Sequence, residues 1–358
     1  MRFDRLRIQG LRCLDDVAVE LAEGIHVFVG PNGAGKTSVL EAAYLLSHGR
    51  SFRSGAREAL LQRGARVLSV FAELRVGDAR TRLGLGREGT RWDARLDGQD
   101  VPLGQLVQAC AVVCFEPGSH ALIAGSAEER RRFLDWGVFH VEHDFLGAWR
   151  RYQRALKQRN ALLRTGVVGP EALYAPWEHE LDELATAIDG YRRTYLDRLI
   201  PALSSSAQFL LPELGPLTLR YKRGWAEGQG LSELLADQRG RDLARGHTTA
   251  GAHRADWSLS FKHAPLREHL SRGQEKLTAL SCLLAQADLH AQCRGEWPVV
   301  CLDDLASELD LAHQAAVVER LGAVEAQVLV TGTECPLPLQ SRPHRLFHVE
   351  QGQIRPLL

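Results

Sequence analysis

The sequence predicts an α/β protein: a mixed sheet with flanking helices, into which a mostly helical arm is inserted. Three observations predict it. The apolar run Ile25 to Val29 leads through a glycine-rich turn into Val39 to Leu46, the order strand, turn, helix. Val299 to Leu302 and Gln327 to Val330 are further buried-strand runs, with a helix expected over His313 to Leu321 between them. Trp177, Leu181, Leu184, Ile188, Tyr191 and Tyr195 step by four and three, the seam spacing of paired helices, and Trp149, Tyr152, Leu156 and Leu163 offer a matching stripe.

Taken in order, Phe3, Leu6 and Ile8, then Val17, Val19 and Leu21, have the period-two rhythm of strands ahead of Ile25 to Val29. After the first helix, Ser51-Phe52-Arg53 is a small polar segment. Val67 to Val76 and Thr81 to Arg87 predict strands joined at Gly77-Asp78, and Trp92 to Leu96 predicts a hairpin turning at Asp97-Gly98, so this part is antiparallel in character. Ala111 to Phe115 is another apolar strand, ended by Glu116-Pro117-Gly118 because proline and glycine both interrupt a ladder. From Ala127 the pattern is helical, and Thr165 to Pro170 reads as the turn of a helical hairpin too short for a long coiled-coil arm. Leu217 to Tyr221 and Trp257 to Phe261 return to strand rhythm around a helix over Leu231 to Leu243. Ser271 to Gln292 predicts a loop and helix, and Arg345 to Val349 with Gln353 to Arg355 a closing hairpin through Gly352. The expected divisions are residues 1–125 and 256–358 for the two parts of the sheet domain and 126–255 for the arm.

A chain of 358 residues, 45% hydrophobic and 25% charged, has room for about two domains and a real core. Lysine plus arginine equals aspartate plus glutamate, 44 each, so any surface for a polyanion has to be local. The start, Met1-Arg2-Phe3-Asp4, lacks the apolar core of a signal peptide, and no apolar run approaches the roughly 18 residues of a membrane span, so a cytosolic protein is expected. Seven cysteines, scattered and mostly inside apolar runs without Cys-x-x-Cys, predict buried reduced thiols and no zinc site.

The turn after Val29 reads Gly30-Pro31-Asn32-Gly33-Ala34-Gly35-Lys36-Thr37, with Ser38 opening the helix, and fits the pattern Gly, four residues, Gly-Lys-Thr. Gly30, Gly33 and Gly35 let backbone N–H groups turn inward on phosphate oxygens, Lys36 reaches the outer phosphates, and the Thr37 hydroxyl can ligate magnesium. The apolar strand Val299 to Leu302 ends in Asp303-Asp304, where Asp303 can bind magnesium directly or through water and Asp304 can orient or deprotonate an attacking water. Capping of the next loop is the plainer use of such acids. Leu270-Ser271-Arg272-Gly273-Gln274 opens a helix, so the Ser271 hydroxyl, the Gly273 N–H and Gln274 make either an anion site without a lysine of its own or a simple helix cap. Ala306-Ser307-Glu308-Leu309-Asp310 follows the acidic strand.

Phosphate loop, Leu-Ser-x-Gly-Gln, acidic strand and Ser-x-Leu-Asp loop, in that order, resemble the ATP-binding-cassette ATPases. That resemblance implies ATP and Mg2+ as ligands, a head of the ABC type, and an ATP-sandwiched homodimer in which the signature serine of one subunit covers the γ-phosphate held by another. Within that class the chain is similar over essentially its whole length to the RecF family of bacterial recombination mediators. The residues are Gly30 to Leu40 with Glu41-Ala42-Ala43-Tyr44, Gly49-Arg50-Ser51-Phe52-Arg53, Arg131-Arg132-Phe133-Leu134-Asp135-Trp136, Leu156-Lys157-Gln158-Arg159-Asn160, the Ser271 segment, and Asp303 to Asp310. The resemblance implies ATP-dependent binding of single- and double-stranded DNA at gaps or stalled forks, work with RecO and RecR to load the recombinase, and support of the SOS response.

Two departures stand against the family pattern, and a third feature sets the chain apart from transporters. Gly251-Ala252-His253-Arg254-Ala255-Asp256 lacks the family's proline, Glu116-Pro117-Gly118 replaces the usual Pro-Glu, so no phosphate-sensing residue is assigned there, and Thr331 and Thr333 stand where transporters carry a histidine. A transporter ATPase subunit is the alternative, opposed by the large helical insert between Lys36 and Ser271. A slow, ATP-gated clamp is expected rather than a fast motor, because Asp304 is one methylene shorter than the usual glutamate. For DNA, Arg150, Arg154 and Lys157 share a helical face, in a stretch from Ala148 to Arg164 that also carries Arg151, Arg159 and Arg164 and no acid. A solvated face is the bland reading of that stripe, and Arg53 and the Arg130 to Arg132 cluster compete for the DNA role.

Overall fold

Alternation at the start of the chain becomes β1 (Arg2–Leu11), paired antiparallel with β2 (Leu14–Glu20), with Leu6 and Ile8 buried on one face and Phe3 buried as well because the register shifts between Phe3 and Arg5. The computed structural model describes residues 1–53, 60–166 and 170–357, in two units, of which the first comprises Met1–His120, Phe209–Leu211 and Arg272–Leu358. β3 (Ile25–Val29) feeds α1 (Lys36–His48). β4 (Val67–Val76), β5 (Ala79–Glu88), β6 (Arg91–Leu96) and β7 (Gln99–Val101) complete an antiparallel sheet of order β2-β1-β4-β5-β6-β7. The turn between β6 and β7 is Asp97-Gly98, both at positive φ (49° and 85°), the backbone whose twist matches the flanking strands. α2 (Leu103–Ala109) and β8 (Val112–Phe115) follow.

The second unit comprises Ala121–Gln208 and Pro212–Ser271. It opens with α3 (Ala121–Ala124), α4 (Ala127–Val141) and α5 (Phe145–Arg164), then α6 (Ala175–Leu210), which runs through Pro201. The expected turn at 165–170 includes residues 167–169, which lie outside the described residues. Tyr152, Leu156 and Leu163 on α5 and Leu181, Leu184, Ile188 and Tyr195 on α6 are buried, whereas Trp149, Trp177 and Tyr191 are half-buried. β9 (Leu217–Lys222) pairs antiparallel with β10 (Asp256–Phe261). That ladder puts β10 in this unit, so residues 256–271, which the sequence assigns to the sheet domain, lie with the insert. The single helix expected over Leu231 to Leu243 is two, α7 (Leu231–Asp237) and α8 (Arg239–Arg245). They break at Gln238 (φ −89°, ψ 3°), and Asp242 on the second is fully buried, accepting from Arg159 and Thr249.

The rest of the first unit builds its second sheet. α9 (Arg272–Arg294), β11 (Val299–Leu302), α10 (Leu305–Glu308), α11 (Leu311–Gly322), β12 (Val328–Gly332), α12 (Leu337–Gln340), β13 (His344–Glu350) and β14 (Gln353–Leu357) give the order β14-β13-β3-β12-β11-β8. β13, β3, β12, β11 and β8 are parallel and β14 closes the edge antiparallel. Unbroken apolar runs suit such strands, which are covered on both faces. α1 touches β8 and β12 on one side and β1 and β5 on the other, which is why Val39, Leu40, Ala42, Ala43, Leu45 and Leu46 are all buried. Gln327, just before β12, donates to the carbonyls of Phe3 and Ala22 and accepts from Phe3 N–H, tying β1 to this sheet.

Of the cysteines, Cys110, Cys114, Cys282 and Cys301 are buried as expected. Cys13 is exposed on the β1–β2 turn and Cys293 and Cys335 are half-buried, which corrects the reading for those three. No described helix is long and apolar enough to cross a membrane.

Candidate functional site

In an open parallel sheet, ligands gather at the carboxyl ends of the strands. Here β3, β12 and β11 are neighbours, and their carboxyl ends deliver Gly30 to Gly35, Thr331, and Asp303-Asp304 to one place. Gly30 sits at φ 154°, and a Cβ there would lie 2.0 Å from the Val349 carbonyl oxygen, so no larger residue fits. Gly35 (φ 114°) is the N-cap of α1, so the positive end of the helix borders the same spot.

A cleft of about 290 Å3 results, lined from the loop by Asn32, Gly33 and Gly35 through Ser38, from the strands by Asp303, Asp304 and Thr331, and at the rim by Arg12, Cys13 and Arg53. Gly30, Pro31 and Ala34 hold the loop without lining the cleft. The Gly30 and Pro31 carbonyls accept from Lys36 Nζ at 2.8 and 2.9 Å, and Ala34 O accepts from Gly352 N–H at 3.0 Å. Burial lowers the Lys36 pKa, while the charges of Asp304 and Asp303 oppose the shift. An ammonium has three donors, so one remains for an anion in the cleft.

Thr37 Oγ1 donates to Asp303 Oδ1 at 2.8 Å, and Thr331 Oγ1 donates to the same oxygen at 2.6 Å. Burial raises the Asp303 pKa, against the hydrogen bonds from Thr331 and Thr37 and the Arg53 charge, which lower it. A carboxylate and a threonine hydroxyl in contact beside a phosphate cradle are the hard oxygen donors that Mg2+ takes, with substrate phosphates and waters completing its octahedron. The donor set therefore fits a magnesium nucleotide. Asp304, half-buried at the start of α10, faces the same cleft.

Sequence reasoning missed a buried carboxylate behind the cleft. Glu41, fully buried on α1, receives Arg12 Nη2 at 2.7 Å and Nε at 3.0 Å and the Ser51 hydroxyl, with Arg53 Nη1 at 4.0 Å. The available signal was a lone acid in an otherwise apolar helix, Val39-Leu40-Glu41-Ala42. Glu116 was also unassigned. Burial raises its pKa, with Asp303 and Glu308 adding repulsion and the Gly118 N–H opposing.

Ser271 immediately precedes α9 and is exposed, as is Gly273, while Gln274 is half-buried and its carbonyl accepts from Thr278 Oγ1 at 2.7 Å. Gly273 and Gln274 do not line the phosphate cleft of their own chain. Lys276, one turn further on, pairs with Glu308 of α10 at 2.7 Å. In the second unit Arg150, Arg154 and Lys157 are exposed along one face of α5, without an ion-pair partner among the described residues. Arg159 does not belong to that stripe. It is fully buried and bonded to Glu178, Asp242, Thr248 and the Leu235 carbonyl. The competing cluster is internally paired: Arg130 with Asp256, Arg131 with the Ala255 carbonyl, Arg132 with Glu128 and Glu129.

The AAA ATPase domain family matches residues 1–73. The DNA replication and repair protein RecF of Stenotrophomonas maltophilia (strain R551-3) is 50% identical over 362 residues, covering 99% of both chains. Among solved structures, the recombination mediator protein RecF-ATP in the RecFOR pathway superposes with a TM-score of 0.90 at 24% identity, over 99% of this chain and 97% of that one. The SmcHead bound to the C-winged helix domain of ScpA gives 0.60 at 14% identity, over 100% and 97%. The α/β architecture, a mixed sheet with flanking helices, is thus that of the ABC-type ATPase heads.

Proposed function

The chain belongs to the RecF family of DNA replication and repair proteins, and on that premise we propose that it is an ATP-gated DNA clamp. It binds single- and double-stranded DNA at gaps or stalled forks, closes as an ATP-dependent homodimer, and opens after slow hydrolysis. With RecO and RecR it helps load the recombinase in the cytoplasm and supports the SOS response. The observation that carries the ATPase reading is the convergence of Lys36, Thr37, Asp303 and Asp304 on one cleft at a helix N-terminus. Membership of this family removes the transporter alternative.

In this mechanism the N–H groups of Gly33, Gly35, Lys36 and Thr37 hold the phosphates, and the Lys36 ammonium neutralises the outer ones. Thr37 and Asp303 would hold Mg2+, which would screen the charge of the phosphate oxygens. Asp304 orients the attacking water and accepts its proton, and its short side chain makes that step slow. Single-turnover ATP hydrolysis with and without DNA tests this reading. Turnover of many ATP per second regardless of DNA would make the protein a motor and not a clamp.

Closure requires a second copy, because Gly273 and Gln274 serve no phosphate in their own chain. Ser271→Arg is therefore expected to leave nucleotide binding intact and to abolish ATP-dependent dimers in sedimentation. An unchanged dimer fraction would refute the sandwich.

DNA is assigned to Arg150, Arg154 and Lys157. Changing all three to glutamine should weaken binding to every sequence alike and flatten the log–log salt slope by about one unit per lost phosphate contact. Dimerisation with ATP should persist. An unchanged slope would put the DNA path elsewhere.

A further inference from the structure

Thr331 is almost fully buried at the carboxyl end of β12, the strand between β3 and β11, and its hydroxyl is used in both directions. Oγ1 donates to Asp303 Oδ1 at 2.6 Å and accepts the Asp304 backbone N–H at 2.9 Å. Asp304 is a non-glycine residue at φ 54°, ψ 44°, a left-handed backbone that L residues avoid and that persists only where neighbours over-determine it. Its backbone is pinned on both sides of the Cα. The N–H is held by Thr331, and the carbonyl accepts from Ser307 N–H at 2.9 Å and Glu308 N–H at 3.2 Å to begin α10.

We propose that Thr331 is a positioning residue for hydrolysis, one buried hydroxyl that holds the left-handed turn at Asp304 and thereby aims its carboxylate into the cleft while keeping Asp303 against Thr37. The proposal rests on the ATPase reading above and extends it to a residue outside the phosphate loop and the acidic pair. Its force comes from the length of Asp304. A glutamate could swing an extra methylene to recover a misplaced water, whereas an aspartate inherits its aim from the backbone, and small displacements of a reacting group cost rate steeply. The same hydroxyl links β12 to Thr37 through Asp303, so the loop, the acidic strand and the central strand share one chain of hydrogen bonds.

Thr331→Val keeps the branched shape that suits a strand and removes only the hydroxyl, and Thr331→Ser keeps the hydroxyl. In the full-length protein with ATP and Mg2+, T331V should lose about 10- to 100-fold in kcat, with KM and the dissociation constant of a fluorescent ATP analogue within about twofold of the parent. T331S should retain kcat within about threefold. In an Asp304→Asn background T331V should cause a clearly smaller loss than in the parent, because one of the two groups it positions is already gone and only its hold on Asp303 remains. Parental kcat in T331V, a tenfold loss in T331S, or additive losses with D304N would each overturn the assignment of Thr331. If T331V cannot bind the analogue, the T331S result alone decides. A parent protein that binds but never hydrolyses ATP would overturn the ATPase reading itself, and with it this role.

Discussion

Lys36→Ala is expected to lower ATP affinity by roughly a hundredfold, about 3 kcal/mol, the scale of losing a charge-assisted hydrogen bond in a largely buried site. The Nζ atom is tied to the Gly30 and Pro31 carbonyls, so its removal takes away the cation and also the strut that holds the loop open around the phosphates. Asp303→Asn should behave differently. It leaves the loop and Lys36 in place but weakens the anionic oxygen that Thr37 and Thr331 address, so nucleotide binding should stay within a few-fold while turnover falls by about 10²-fold or more. Calorimetric titration with ATP and a steady-state phosphate-release assay separate the two. Equal and small effects of both variants would remove the ATPase assignment.

The second large effect is on stability. Arg159 is fully buried, and its guanidinium meets Glu178 and Asp242, themselves 3% and 0% exposed. Removing one partner of a buried ionic network strands charge in a poorly solvated interior, which costs about 3–5 kcal/mol. Arg239 still reaches Glu178 at 2.6 Å, so the penalty in Arg159→Met falls mainly on Asp242, left with the Thr249 side-chain and backbone donors. Methionine fills the volume, so the loss reports charge and not a cavity. Thermal unfolding followed by tryptophan fluorescence should shift down by on the order of 10 °C, whereas Arg150→Gln on the exposed face should change stability by less than about 0.5 kcal/mol. A shift in R159M no larger than that of R150Q would show that the buried network contributes nothing net.

Arg159 also shows where reading the chain by periodicity goes wrong. The arginines of α5 look equivalent in one dimension, and spacing alone puts Arg150, Arg154 and Lys157 on a common face. What turns Arg159 inward is Asp242, 83 residues away, brought close by the break between α7 and α8. Arg192 is a parallel case: it falls between the seam residues Tyr191 and Tyr195 of α6 and is fully buried against Asp135 and the Ala252 carbonyl. Both charges are invisible to a pattern of apolar residues because their partners come from other elements.

The phosphate loop was determined locally. Gly30, Gly33 and Gly35 take backbone angles that other residues avoid, Lys36 and Thr37 follow at fixed spacing on a helix, and an apolar strand precedes them, all within one stretch of chain. The same holds for the Asp97-Gly98 hairpin and for the apolar strands β8 and β11 of the parallel sheet. The tertiary structure alone decided the rest: that Thr331 bridges the Asp303 carboxylate and the Asp304 backbone N–H, that Glu41 gathers Arg12 and Ser51, and that Gln327 clasps Phe3 across 324 positions. Turns and helix starts are set by steric preferences of neighbouring residues. Buried polar groups are set by the need to satisfy every donor and acceptor after the chain has folded, and that requirement chooses partners by distance in space and not along the sequence.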